Sequence, residues 1–283
     1  MSALQLQVER AASWVATSDA LLITAGAGLG VDSGLPDFRG VNGFWHAYPA
    51  CGDAGITFED IANPNAFQTM PDRAWGFYGH RLRLYRKTVP HAGFRLLKQW
   101  AQRMRGGCSI FTSNVDGQFQ KAGFGGESVH ECHGSIHYLQ CLRPCGDHIW
   151  PADDFQPEVD ERQCVLRNVA PTCPGCGELA RPNVLMFNDW GWREVRTAAE
   201  AADQTVWLSS VSRPVVVELG AGAAIPSVRR FSERVVRDFG SHLIRINPRE
   251  SQVSNSDDIG LAMGALAGLQ AITGALDSQW PSW

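Results

Sequence analysis

An asparagine, an aspartate and a histidine in the middle of the chain have side chains suited to ligand binding and proton transfer. Asn114 and Asp116 follow the apolar run 108–112 and lie two positions apart, so an extended backbone would point both the same way. His133 directly precedes a Gly-Ser pair. An imidazole with a pKa near neutrality can accept a proton from a hydroxyl group at working pH. Taken alone, Asn-Val-Asp-Gly is more typical of a turn.

Four cysteines have the spacing of a metal site. Cys141 and Cys145 form one pair, and Cys173 and Cys176, separated by Pro-Gly, form a second. Each pair can occupy two corners of a tetrahedral Zn²⁺ site, and four thiolates leave no position for water. The spacing therefore predicts a structural zinc. Cys164, between the pairs, is the alternative fourth ligand.

A glycine-rich segment follows the first apolar run of the chain. Gly26, Gly28 and Gly30 would let the backbone turn sharply and approach a ligand closely. A helix starting at Val31 would point its free N–H groups at a phosphate. The spacing departs from G-x-G-x-x-G, and no acidic residue follows about 20 positions on in a second strand. The segment by itself indicates phosphate binding more than dinucleotide binding.

Tyr78 and Arg81 are three residues apart in a segment of helical character, so both project from one face. A phenol and a guanidinium that converge can bind a carboxylate through charge-assisted hydrogen bonds. The alternative is that Arg81 belongs to a solvated basic face with Arg83, Arg86 and Lys87, beside a half-buried Tyr78.

The hydrophobic pattern predicts an α/β scaffold for these residues. Short apolar runs typical of buried strands lie at 21–23, 108–112, 214–219 and 242–247, the last clear strand. Amphipathic helices are predicted at 4–18, 91–105, 227–239 and 260–276, with polar loop at 249–258. We expect a Rossmann-like parallel sheet with an inserted small domain and ligand-binding residues at the strand C-termini.

Two segments interrupt this pattern. The aromatic-rich segment 41–86 is predicted to be a mostly helical insertion, and 135–181 is predicted to be the zinc-binding module. Together they would form the small domain. The large domain would then be discontinuous and consist of 1–40, 87–134 and 182–283.

Composition narrows the class of protein. The chain has 283 residues and a formal net charge of −4, which argues against a nucleic-acid-binding surface over the whole molecule. No basic segment followed by an apolar run opens the chain, and no apolar stretch is long enough to span a membrane. Eight cysteines in a chain of this length favour metal binding over a disulfide scaffold. We expect a cytoplasmic protein.

Several motifs, taken in order, resemble those of the sirtuins, the NAD-dependent protein lysine deacylases. They lie at 25–28 with 33–40, 112–117, 133–135, the two cysteine pairs, 181–187 and 245–247. The resemblance implies that the large domain binds NAD. It also implies that acyl-lysine proteins are the substrates, with free lysine, nicotinamide and O-acyl-ADP-ribose as products.

The resemblance also implies roles for individual residues. His133 would be the catalytic base, Asn114 would orient the nicotinamide ribose and a water molecule, and Asp116 would bind the carboxamide. The implied NAD-binding residues are Gly26, Ala27, Gly28, Asp37, Phe38, Arg39, Ser113, Asn114, Asp116, Gly220, Ala221, Gly222 and Asn247. Val184 and Phe187 would lie in the core or in the acyl channel. The Tyr78–Arg81 pair resembles that of class III sirtuins, which remove malonyl, succinyl or glutaryl groups, and implies a preference for acidic acyl groups.

Three departures from the family pattern keep other functions open. Ser113, Gly30 and Asn188 replace the usual family residues. They motivate one alternative, a sirtuin-like NAD hydrolase or protein ADP-ribosyltransferase. A second alternative is an NAD-binding regulatory protein without catalytic activity.

Overall fold

The structure is a computed structural model that describes residues 2–37, 40–143, 145–276 and 280, with backbone alone at 40–42. The helices are α1 (Ala3–Thr17), α2 (Gly40–Ala47), α3 (Pro49–Asp53), α4 (Phe58–Ile61), α5 (Pro64–Thr69), α6 (Pro71–Lys87), α7 (Ala92–Arg103), α8 (Gln118–Lys121), α9 (Val195–Ser210), α10 (Ser227–Phe239) and α11 (Ala265–Leu276). The strands are β1 (Ala20–Ala25), β2 (Cys108–Thr112), β3 (Val129–Glu131), β4 (Gly134–Cys141), β5 (Ile149–Pro151), β6 (Val159–Asp160), β7 (Val165–Leu166), β8 (Ala180–Val184), β9 (Pro214–Leu219), β10 (His242–Ile246) and β11 (Ile259–Leu261). Short 3₁₀ helices occupy Ala27–Ser33 and Gly126–Ser128.

A parallel sheet of six strands, in the order β11-β10-β9-β1-β2-β3, forms the centre of the large domain. Ala25 pairs with both Thr112 and Leu219, and Leu219 pairs with Ile246. The C-terminal ends of four neighbouring strands are therefore level. Ligand sites form beyond this edge in open parallel sheets. The predicted ligand-binding segments that follow β1, β2 and β9 lie at this edge.

Every residue of β1 and β9 is buried, because helices cover both faces of this sheet. Leu21 and Ile23 pack in a core with α1, α7 and α11. Leu22 points the other way and packs with Phe231 and Val235 of α10. This alternation from one residue to the next gives three layers, helices, sheet and helices, as the strand pattern predicted.

The two inserted segments, predicted to form the small domain, pack in one core. Helices α2 to α6 pack with the three-stranded sheet β5-β4-β8 and with the hairpin of β6 and β7. Trp75 of α6 is fully buried, and its indole nitrogen donates a 3.0 Å hydrogen bond to the carbonyl oxygen of Ala180 in β8. Residues 182–184, predicted to belong to the large domain, lie in β8 and pair with β4. The proposed domain boundary at 181/182 thus falls within a strand.

The structure departs from the sequence pattern in several places. The helix considered at Val31 does not form, because the turn itself winds as the 3₁₀ helix Ala27–Ser33 and ends at Gly34, whose φ is +82°. The closing helix starts at Ala265 rather than at 260, since residues 259–261 instead form β11, the edge strand beside β10. The strand at 242–247 is consequently not the last one.

Most other predicted elements are confirmed, with boundaries shifted by a few residues. Helix α10 has the predicted bounds, and 41–86 is mostly helical. Within the described residues, no helix is both long and apolar enough to cross a bilayer.

Candidate active site

Two glycine turns meet at the C-terminal edge of the large sheet. Gly28 N donates a 3.0 Å hydrogen bond to the carbonyl oxygen of Gly220. A Cβ on Gly26 would lie 2.8 Å from the Cα of Ala221, and a Cβ on Gly220, whose φ is +61°, would lie 2.3 Å from the backbone of Gly28. These two positions require glycine, because any side chain would force the turns apart.

A cavity of about 630 Å³ opens between these turns and the small domain. Residues predicted to bind NAD that line it are Gly26, Ala27, Gly28, Asp37, Ser113, Asn114, Asp116, Gly220, Ala221 and Gly222. The predicted catalytic His133 and the predicted substrate-binding residues Tyr78, Arg81, Val184 and Phe187 line the same cavity. Phe38 and Arg39 lie outside the described residues.

The side chains of Asn114 and Asp116 are held by hydrogen bonds to backbone groups. The side-chain Nδ2 of Asn114 donates to the carbonyl oxygen of Gly26 at 3.1 Å. Asp116 Oδ1 accepts from Gln118 N at 3.0 Å. Burial raises the pKa of Asp116 to about 6, although the Gln118 hydrogen bond and the nearby Arg81 charge both oppose the shift.

His133 enters the cavity from the link between β3 and β4. Its Nε2 lies 3.3 Å from Oγ of Ser227, the first residue of α10, and its carbonyl oxygen accepts from Leu185 N at 2.9 Å. Burial lowers the pKa of His133. The imidazole is therefore neutral at pH 7 and able to accept a proton.

The other end of the cavity is aromatic, and Arg81 is the cation there among the described residues. Arg81 is buried, and its guanidinium carbon lies 5.2 Å from the ring centre of Phe77 and 5.3 Å from that of Tyr85. Arg81 therefore does not belong to a solvated basic face. Tyr78 is also buried, which raises the pKa of its phenol to about 12.

Of the predicted binding residues that the structure describes, Asn247 does not line the cavity. It is fully buried, and its Nδ2 donates to the carbonyl oxygen of Ala221 at 2.9 Å. Its Oδ1 accepts from the backbone N–H groups of Arg249 and Glu250, each at 3.0 Å. Asn247 therefore stabilises the glycine turn at 220–222 through its hydrogen bond to Ala221.

The pattern of motifs did not indicate several lining residues. Among them are Phe58, Glu59, Tyr85 and Ile225. For Tyr85 a signal was present, because it lies four residues after Arg81 on the same helix and so shares its face.

The four predicted zinc ligands come together in the small domain. The Sγ atoms of Cys141, Cys145, Cys173 and Cys176 all lie within 4.8 Å of one another. The Cys141–Cys176 and Cys145–Cys173 Sγ distances are both 3.6 Å. Tetrahedral zinc with Zn–S bonds of about 2.3 Å requires S–S edges of roughly 3.8 Å, so the donor set fits. Cys164, the alternative ligand, is absent from this group.

Comparison with known proteins identifies the family. The model of the Sir2 family matches residues 26–217, more than half of the chain. The chain belongs to the Sir2 family. Similar proteins include the NAD-dependent protein deacylase of Aquifex aeolicus (strain VF5), 26% identical over 93% of this chain and 97% of that one. NAD-dependent protein deacylase 2 of Pyrobaculum aerophilum is 30% identical over 88% of this chain and 87% of that one.

Solved structures share the fold of this Sir2-family protein. The crystal structure of a Sir2 homolog–NAD complex has a TM-score of 0.72, with 22% identity over 96% of this chain and 95% of that chain. A Sir2 homologue mutant in complex with ADP-ribose has a TM-score of 0.71, with 22% identity over 97% and 99%.

Proposed function

We propose that this Sir2-family protein is an NAD-dependent protein lysine deacylase. The observation that carries the proposal is a single cavity lined by His133, Asn114, Asp116 and both glycine turns. Two of its similar relatives are named NAD-dependent protein deacylases, which supports the same activity here.

The cavity walls suit NAD as the second substrate. Where Gly26 and Gly220 meet, the wall is backbone, so a pyrophosphate could approach N–H groups without meeting side chains. NAD would supply the ADP-ribosyl group that accepts the acyl group, with nicotinamide as the leaving group. Val228, Met186 and other apolar residues complete the wall, which favours exclusion of water and so limits plain hydrolysis of NAD.

The polar residues of the cavity would orient the reactants and move one proton. Neutral His133 would accept a proton from a substrate hydroxyl group, while Asn114 and Asp116 would orient the nicotinamide riboside. Their backbone hydrogen bonds hold both side chains before substrate arrives. Such preorganisation provides much of the proximity effect in two-substrate reactions.

We infer further that the preferred acyl groups are acidic, such as malonyl and succinyl. Arg81 places a buried positive charge at the end of the cavity that lies in the small domain. Burying a charge costs free energy that an opposite charge on the substrate would offset. A carboxylate at the far end of the acyl chain would form charge-assisted hydrogen bonds with Arg81, and Tyr78 lies beside it.

Substrate proteins would bind along the segment that follows β8. Residues 184–187 line the cavity, with Val184 buried and Leu185 exposed, and the extended peptide that carries the acyl-lysine would lie along this segment. The cytoplasmic location stays a prediction.

A peptide panel tests the proposal. Purified protein is incubated with NAD and with acetyl-, malonyl-, succinyl- or glutaryl-lysine peptides, and nicotinamide release and peptide mass are measured. We expect release that depends on peptide, with faster turnover of the acidic acyl groups. Release without peptide would favour an NAD hydrolase, and label transfer to protein would favour an ADP-ribosyltransferase. No release under any condition would refute the enzyme proposal.

Two substitutions on α6 separate the acyl preference from the activity. Arg81→Met should reduce the turnover of succinyl peptide at least tenfold more than that of acetyl peptide, about the effect of losing a hydrogen-bonded charge pair. Arg83→Met is the matched control, because Arg83 is partly exposed and pairs at 3.7 Å with Glu161 outside the cavity. If the protein prefers acetyl peptide and keeps that preference in Arg81→Met, the acidic acyl pocket is refuted, but the deacylase activity is not.

A further inference from the structure

Tyr85 has a hydroxyl group whose hydrogen bonding is incomplete. The hydroxyl oxygen accepts from Arg81 Nε at 2.9 Å and from Arg81 Nη2 at 2.7 Å. Tyr85 is 5% exposed, and it lines the cavity beside Asp116 and Tyr78. A buried tyrosine that lines a cavity in this way belongs to the binding surface.

The proton of this hydroxyl has no acceptor among the described residues. A phenol can accept two hydrogen bonds and donate one, and Arg81 supplies donors only. Burial raises the pKa of Tyr85, so the group keeps its proton at neutral pH. A buried donor without an acceptor costs free energy that a ligand acceptor would recover.

The same two hydrogen bonds fix the orientation of Arg81. They use the Nε and Nη2 edge of the guanidinium, which sets the rotation of its plane. The rings of Phe77, Tyr78 and Tyr85 surround the guanidinium carbon at 5.2, 5.8 and 5.3 Å. Because Arg81 cannot lose its charge, it also polarises the Tyr85 hydroxyl and strengthens it as a donor.

We propose that Tyr85 is a substrate-binding residue that donates a hydrogen bond to the terminal carboxylate of a dicarboxylic acyl-lysine while it holds Arg81 in place. The inference rests on the proposed deacylase function and extends it. Tyr78, Arg81 and Tyr85, on neighbouring turns of α6, would form a three-residue acid-binding group. An acetyl group lacks the carboxylate and would gain nothing from Tyr85.

Tyr85→Phe tests the proposal because it removes the hydroxyl and keeps the ring. We expect KM for a succinyl-lysine peptide to rise about tenfold, as for loss of one hydrogen bond to a charged group, while kcat changes little. The kcat/KM for the matched acetyl-lysine peptide should stay within about twofold. Tyr48→Phe is the control, because Tyr48 is equally buried, bonds His80 through its hydroxyl at 2.8 Å and does not line the cavity.

Peptide binding, measured without turnover, tests the role of Tyr85 separately from the deacylase activity. Fluorescence anisotropy of labelled succinyl- and acetyl-lysine peptides gives Kd for the wild type and both variants. Tyr85→Phe should weaken binding of the succinyl peptide alone. Equal weakening of both peptides, or of neither, would overturn the role of Tyr85. Failure of the wild type to release nicotinamide would instead refute the enzyme function, and loss of the folded state in a thermal melt would assign Tyr85 a structural role.

Discussion

The side-chain amide nitrogen of Asn114 donates a 3.1 Å hydrogen bond to the carbonyl oxygen of Gly26, and so joins the end of β2 to the turn after β1. Asn114→Asp keeps the size of the side chain but replaces the donor with a carboxylate that repels this carbonyl. We expect at least a tenfold loss of nicotinamide release and destabilisation of about 1–3 kcal/mol in urea unfolding. Asn168→Asp is the control, since Asn168 donates a similar bond to Gln156 on the exposed hairpin side of the small domain. Equal effects in both variants would contradict a specific role for the hydrogen bond between Asn114 and the Gly26 turn.

The acid limit of the activity should reflect His133. Burial lowers the pKa of His133 below the usual 6.5, so the imidazole stays neutral in more acidic solution than a histidine in water. We expect the acid limb of the kcat/KM profile to have its midpoint below pH 6.5. His133→Gln should lower kcat at least about 10²-fold, as for a lost general base, while His148→Gln, at an exposed position, should not. A midpoint above pH 6.5 would argue against His133 as the base.

Asp116 should make the protein less stable as pH rises. Folding raises its pKa from 3.8 to about 6, so the folded state holds the proton to a higher pH than the unfolded chain does. The free energy of unfolding therefore falls between about pH 4 and pH 6, by on the order of 3 kcal/mol.

Asp116→Asn removes this penalty and keeps an oxygen for the N–H of Gln118. The variant should be more stable than the wild type at pH 8, by a margin that shrinks towards pH 4, and should lose deacylase activity. Urea unfolding at several pH values measures the margin, with exposed Asp154→Asn as control. A margin that does not change with pH would show that Asp116 is not the group responsible.

Zinc should be needed for the folded small domain. We expect about one zinc per chain by elemental analysis, and loss of it in Cys176→Ala with destabilisation of more than about 4 kcal/mol. Cys164→Ala should retain the metal, because Cys164 is not part of the four-cysteine group. Retention of zinc in Cys176→Ala, or its loss in Cys164→Ala, would be evidence against this ligand set.

Much of the cavity could be predicted because its residues follow strands whose ends are level. Thr112 and Leu219 both pair with Ala25, so the segments after these strands must meet. Cysteine spacing likewise indicated the metal group without knowledge of the fold. These features depend on local sequence and on one general property of parallel sheets.

The remaining features depend on contacts between distant parts of the chain. Gly28 bonds to Gly220, and a partner so far along the chain cannot be inferred from local glycine spacing. Strand β11 has three residues, too few to show a periodicity. Arg81 is buried because the rings of Phe77, Tyr78 and Tyr85 surround its guanidinium on the face of α6 that lines the cavity, an environment that the spacing of basic residues does not reveal.

The hydrogen bond from Trp75 to Ala180 joins residues 105 positions apart. During translation, helix α6, which contains Trp75, leaves the ribosome well before β8 has been synthesised and can pack against it. At about 5–20 residues per second, the aromatic side chains of α6 would wait on the order of 5–20 s for their partners. We therefore expect nascent chains stalled before residue 180 to expose the aromatic side chains of α6 and to bind chaperones or aggregate.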